Sequence, residues 1–166
     1  FFKKMKKILF ITTRSPFSGK YSGDIIRSLK IINLLKRKYE VHIVCLDNDK
    51  QDNLKKNIIS FNYPGLLLKF IFCLYSFFKL QPIQFGLFYS EKMRAFIENT
   101  ANDYDYLFFY HIRSSQYFPK NFFGKTILEM NDLYSDNYLQ TFNYLNIINP
   151  LKYIYFLESI LMKRTE

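Results

Sequence analysis

The sequence predicts an α/β fold built on a parallel sheet, on three observations. Ile8 to Ile11 is a short apolar run that reads as a strand. Ile25, Leu29, Ile32 and Leu35 follow at three- and four-residue spacings, marking one buried face of a helix that opens at Asp24, and Val41 to Leu46 is a second strand. Strand, helix, strand in that order makes a parallel unit. Such units bind ligands at the C-terminal edge of the sheet, where loops meet helix N-termini with unpaired N–H groups, and this directs attention to residues 12 to 24.

The alternation of short strands and helices continues through all 166 residues, with no low-complexity tract, linker or internal repeat, so one domain is expected. A polar connector, Asp47 to Lys56, leads to a strand at Ile58 to Phe61. A helix from Pro64 to Lys79 enters through Pro64-Gly65 and closes at Gln81-Pro82. Gln84 to Tyr89 reads as a short extended segment. Ser90 suits the cap of a helix over Glu91 to Ala101, with Met93, Phe96 and Ile97 inward. Tyr106 to Tyr110 and Thr126 to Met130 are continuous apolar runs of the kind that strands covered on both faces show. Asn149 and Pro150, a cap followed by a first-turn proline, start a last helix whose apolar face is Ile154, Leu157, Ile160 and Leu161. The sequence begins at Phe1 ahead of Met5 and stops at Glu166 inside that helical pattern, so a longer parent protein is expected.

Composition narrows the classes. A hydrophobic content of 49% argues against global disorder. The net charge of +10 favours anionic partners such as nucleotides, phospholipids or nucleic acid, with a solvated lysine surface as the plainer alternative. No helix-turn-helix, zinc-finger or RNP pattern accompanies the charge, and no nucleic-acid partner is expected. Cys45 and Cys73 are too few for a disulfide framework or a metal cluster and read as reduced core residues of a cytosolic protein. The most apolar run, residues 66 to 78, is 13 residues long where a crossing helix needs about 20. With Lys55, Lys56, Lys69 and Lys79 nearby it is either a membrane-facing surface or a core helix with an exposed rim, and the core reading is preferred.

Three strand exits carry polar residues toward one rim. The first holds Arg14, Pro16, Gly19, Gly23, Asp24 and Arg27. Glycine lets backbone approach a phosphate, a helix N-terminus adds positive potential, and arginine supplies a bidentate donor. The plainer alternative is a turn residue at Gly23 and a helix cap at Asp24. Neither G-x-G-x-x-G nor G-x-x-x-x-G-K-[ST] is present, which counts against an NAD enzyme and a P-loop ATPase. The second exit places His111 and Arg113 just past Tyr110, as a functional pair or as loop structure. The third, Glu129 to Asp136, offers Asp132 and Ser135, as ligand contacts or as caps of a following helix.

Read together, Arg14-Ser15-Pro16, Gly23-Asp24-Ile25-Ile26-Arg27, Leu35 and Tyr39-Glu40-Val41-His42 resemble the opening of bacterial GT-B glycosyltransferases, in particular the sugar-transferase group that begins R-x-P and then G-D/G-x-x-R. Pro82, Ser90, His111 with Arg113 and Tyr117, the Asn131-Asp132-x-x-Ser135 turn and Glu158 extend the likeness over nearly the whole chain. The resemblance implies the N-terminal half of a GT-B fold, a Rossmann-like three-layer domain with a parallel sheet that binds mainly the acceptor. A C-terminal donor-binding domain, absent from this sequence, would supply most nucleotide contacts, so the fragment alone would turn over poorly.

The same resemblance implies sugar transfer from a nucleotide-sugar donor to a glycan or lipid-linked envelope acceptor, by a cytoplasmic protein that would be peripheral on the inner face of the plasma membrane if segment 66 to 78 faces lipid. It implies His111 as the catalytic, charge-positioning residue, and Arg14, Gly23, Asp24, Arg27, Arg113, Asp132 and Ser135 as substrate-binding. No cofactor and no metal are expected: Asp47-Asn48-Asp49 and Asp103-Tyr104-Asp105 match the D-x-D pattern of metal-dependent sugar transferases only loosely, and the second flanks a strand entrance, away from the rim. The competing expectation is a non-catalytic module binding a membrane surface or an anionic polymer, on the charge and an aromatic content of 20%.

Overall fold

The computed structural model describes residues 5–18, 22–48 and 57–166; Gly19, Asp49, Lys55 and Lys56, singled out above, lie outside the described residues. The chain divides into two compact units that interleave in sequence, one formed by Phe1–Tyr63 with Ser90–Glu129 and the other by Pro64–Tyr89 with Met130–Glu166.

The first unit is a five-stranded, all-parallel sheet. Its strands are β1 (Lys7–Thr12), β2 (Glu40–Leu46), β3 (Ile58–Phe61), β4 (Tyr106–Tyr110) and β5 (Lys125–Glu129), in the spatial order β3-β2-β1-β4-β5. Two helices of this unit are α1 (Gly23–Leu35) and α4 (Glu91–Thr100); α2 (Leu66–Phe78) and α3 (Ile83–Leu87) belong to the second unit. One pleat face, with Ile8 and Phe10 of β1, Val41 and Ile43 of β2 and Phe108 and Tyr110 of β4, packs on Ile32 of α1. Phe10 stacks on Phe108 at 5.1 Å and on Tyr110 at 5.7 Å between ring centroids. Alternation sends Leu9, Ile11, Val44 and Leu46 to the other face, where α4 presents Met93 and Ile97, both buried, and Phe96 meets Phe61. Helix, sheet, helix is the three-layer, Rossmann-like arrangement expected.

Two expectations about this unit are corrected. The helix α1 opens at Gly23, one residue early, and its cap is Ser22, whose Oγ accepts from the Ile25 N–H, so the Asp24 carboxylate is not a cap. Strand β5 is where the sequence placed it, yet Thr126, Ile127 and Leu128 are exposed and not covered on both faces. It ends the sheet, and edge position is a property of topology that an apolar run does not encode.

The second unit contains α2 (Leu66–Phe78), α3 (Ile83–Leu87), α5 (Tyr134–Tyr144) and α6 (Leu151–Thr165). Helix α3 replaces the extended segment expected at Gln84 to Tyr89. Its first N–H groups, of Ile83 and Gln84, donate to the two carboxylate oxygens of buried Glu158 on α6 at 2.8 and 3.0 Å. The cap therefore comes from far along the chain. Gly86 lets α3 press on α2: a Cβ there would lie 2.3 Å from the Cys73 backbone nitrogen. Helices α5 and α6 meet through Phe142 and Phe156 at 4.9 Å and Tyr138 stacked on Tyr155 at 5.7 Å.

Three more expectations fall here. Most of α2 is exposed and not core; only Ser76 is buried, with Lys69, Phe72 and Cys73 half-buried. The buried face of α6 is Glu158, Ser159, Leu161 and Met162, while Ile154 and Ile160 are exposed, because the packing stripe turns on Glu158. Neither Asp132 nor Ser135 caps α5, whose cap position is Leu133 with no side-chain bond.

Candidate functional site

The strand order reverses on either side of β1, so the C-terminal ends of β1 and β4 flank a topological switch point, where α/β sheets open a crevice. A shallow cleft open to solvent lies there, lined by Thr12, Thr13, Arg14, Asp24, Ile25, Ser28, Tyr110, His111 and Arg113. All of these residues belong to the sheet unit.

The strand exit after β1 is fixed by its own hydroxyls and by Tyr63. Thr12 Oγ1 donates to the Arg14 carbonyl at 3.1 Å, and the Tyr63 hydroxyl donates to the Thr13 carbonyl at 2.9 Å. Burial pushes the Tyr63 phenol up to about 12, so it stays a neutral donor beside Arg14 and Arg113. Burial also pushes the Cys45 thiol up to about 12, against a hydrogen bond from Ser15 that lowers it, and a thiol in that state is no nucleophile at neutral pH. The Tyr110 hydroxyl donates to the Asp24 carbonyl at 2.9 Å and ties the end of β4 to the first turn of α1.

Asp24 sits between two basic groups. Its Oδ2 is 3.4 Å from Arg14 Nη1, and its Oδ1 is 3.7 Å from His111 Nε2, which is beyond a hydrogen bond but within ion-pair range when the ring is protonated. Both Arg14 and Asp24 are substantially solvated, so their pair contributes little to stability.

His111 carries the most unusual geometry. Its φ of 67° with ψ of 152° is a backbone conformation that essentially only glycine adopts freely, and it costs a residue with a Cβ roughly 1–3 kcal/mol. The surroundings hold it there. Its N–H donates to the Glu129 carbonyl at 2.9 Å, its carbonyl accepts from the Ser114 N–H at 3.0 Å and from Ser114 Oγ at 2.7 Å, and its ring lies 4.1 Å from that of Tyr110. The side chain is 9% exposed. A titratable ring is thus built into the floor of the cleft.

Of the residues expected to form the site, the structure gathers Arg14, Asp24, His111 and Arg113 in the cleft. Gly23 is the first residue of α1; a Cβ there would meet nothing within 4 Å, so no turn or packing contact demands a glycine. Arg27 is exposed one turn further along α1 and does not line the cleft. Asp132 and Ser135 belong to the second unit, where Asp132 is exposed and buried Ser135 donates its N–H and Oγ to the Glu166 carboxylate. Asp105, from the second D-x-D match, accepts from the Lys7 N–H at 2.7 Å at the opposite, N-terminal edge of the sheet. Among the described residues, no group of three or more His, Cys, Asp or Glu side chains is placed to hold a metal ion.

Thr12 and Thr13, which also line the cleft, fall within the stretch 12 to 24 to which the sequence directs attention, whereas Ser28 and Tyr110 were not anticipated. Ser28 lies one turn along the helix from Asp24, and only the true helix phase brings it in.

The chain matches no protein-family model and no curated protein. Fold and cleft define the class: an α/β, Rossmann-like domain with a polar cleft at its switch point. Arg14, Arg113 and the N-terminus of a thirteen-residue helix bring positive potential to that cleft, offset in part by the Asp24 carboxylate, with an imidazole beside it.

Proposed function

We propose that this chain is the N-terminal, acceptor-side domain of a glycosyltransferase that transfers a sugar from a nucleotide-sugar to a glycan or lipid-linked acceptor. His111 carries the reading. A strained, buried imidazole at the C-terminal edge of a parallel sheet, flanked by a carboxylate and two arginines, is what a site retains for chemistry at a stability cost.

In this reaction the acceptor hydroxyl oxygen bonds to the anomeric carbon and gives up its proton to the departing diphosphate, while the bond from that carbon to the diphosphate breaks and the diphosphate leaves with the electron pair. Arg14, Arg113 and the α1 N-terminus face the charge that develops on the leaving group. The open space beside Gly23 admits the diphosphate, and His111, with Asp24 beside it, faces the transferred sugar. A second Rossmann-like domain would hold most of the nucleotide.

The test is turnover of UDP-, GDP- and ADP-sugars by the protein its whole gene encodes, wild type against His111→Gly and His111→Ala. We expect both variants to lose about 100-fold or more in transfer. His111→Gly, which relieves the backbone, should melt no lower than wild type. Unchanged turnover in both variants, or no binding of any nucleotide-sugar, would overturn the reading.

A further inference from the structure

The helix α2 turns the usual amphipathic arrangement outward. Its packed stripe is Lys69, Phe72, Cys73 and Ser76, the last being its one buried residue, while Leu66 (85% exposed), Leu67, Phe70, Ile71, Leu74, Tyr75, Phe77 and Phe78 (78%) face solvent. A soluble helix points such a stripe at its core. The packed side cannot be exchanged for the exposed one, because α3 closes on α2 backbone to backbone at Gly86.

Charge identifies what the apolar face meets. Pro64–Tyr89 contains no acidic residue, and of its two lysines Lys79 is exposed whereas Lys69 lies on the packed stripe. Lys79 extends its Nζ over the Tyr75 ring at 4.9 Å, at the end of the apolar face. An anionic lipid surface complements both this cation and the acid-free apolar face. Thirteen residues span roughly 20 Å of helix axis. Among the described residues no helix is long and apolar enough to cross a membrane, so α2 would lie in the plane of the interface, with its aromatic rings at headgroup depth.

We propose that α2 is an interfacial docking helix for an anionic lipid bilayer. This inference stands apart from the sugar-transfer reading and survives its failure. The sequence has no tryptophan, so Phe78→Trp introduces a single fluorescent reporter in the patch. In the full chain, its emission should shift to the blue with vesicles containing phosphatidylglycerol, less so at high salt, and little with phosphatidylcholine alone. Co-sedimentation with the anionic vesicles should fall tenfold or more in Phe70→Glu/Phe78→Glu, and Lys79→Gln should weaken the preference for anionic lipid roughly fivefold. The targeted side chains in the Phe pair are exposed, and an unchanged circular dichroism spectrum and melting temperature separate lost docking from lost folding.

Three results would overturn the proposal: no blue shift with either vesicle, a dimer that Phe70→Glu/Phe78→Glu disperses, or a Trp reporter already blue-shifted without lipid in the whole-gene protein. The second would assign the face to a second copy and the third to another segment of the same chain.

Discussion

The two units solve the burial problem in opposite ways. In the sheet unit the large apolar side chains point inward, with Phe10, Ile11, Ile43, Leu107 and Phe109 almost wholly buried and the polar groups collected at the strand exits. In the helical unit many large apolar side chains are exposed, from Leu66 to Phe78 on α2 and from Tyr144 to Phe156 on α5, α6 and their connector, while Ser76, Gln84, Ser135, Glu158 and Ser159 are buried. A folded core accounts for the first unit. The second is held by aromatic pairs between α5 and α6, by buried Phe85, Leu161 and Met162 and by specific polar and backbone contacts, and it leaves much of its apolar surface exposed.

The largest expected effect separates the units directly. Phe10→Ala, in a fully buried stack with Phe108 and Tyr110, should cost about 3–5 kcal/mol, whereas Phe78→Ala should change stability by less than about 0.5 kcal/mol. Urea unfolding of both variants measures this, and equal losses would break the comparison. Glu158→Ala comes next. It strips both acceptors from the Ile83 and Gln84 N–H groups and should cost about 2–3 kcal/mol, with α3 losing hydrogen-exchange protection before the sheet does. A loss below about 0.5 kcal/mol would mean that those N–H groups find other acceptors and that the helical unit does not depend on this carboxylate.

The smallest effect runs the other way. Leu80 follows α2 at φ 53°, in a turn where the Gln81 N–H bonds the Ser76 carbonyl, and it is exposed. Leu80→Gly should stabilise the chain by up to about 1 kcal/mol, read as a small rise in melting temperature. Leu80 and His111 are the non-glycine residues at positive φ among those described. Glycine at position 80 would relieve strain with no function lost, and at position 111 it would remove the ring that the cleft is built around.

Much of the fold was legible because its strands are short apolar runs bounded by polar residues. The strands β1 to β4 lie within a residue of their sequence signals. What escaped depends on distant partners. The helix α3 owes its cap to Glu158, more than 70 residues away, and no local pattern at Ile83 to Leu87 announces it. The position of α2 could be read but not its exposure, since an apolar run looks the same whether it faces a core or another apolar phase. In the cleft, Arg14, Asp24, His111 and Arg113 could be found by their places just past strand ends. The approach of Asp24 to His111, and the backbone strain at His111, arise only when β1, β4 and α1 are set side by side.

The interleaving of the two units bears on how the chain is made. The central strand β1 pairs with β2 early, but β4, its other neighbour, emerges from the ribosome only after α2, α3 and α4 have been synthesised. Until then one edge of β1 stays unpaired while the most apolar helix of the chain is already exposed. This order makes closure of the sheet a late, long-range event, with the apolar face of α2 already synthesised when it happens.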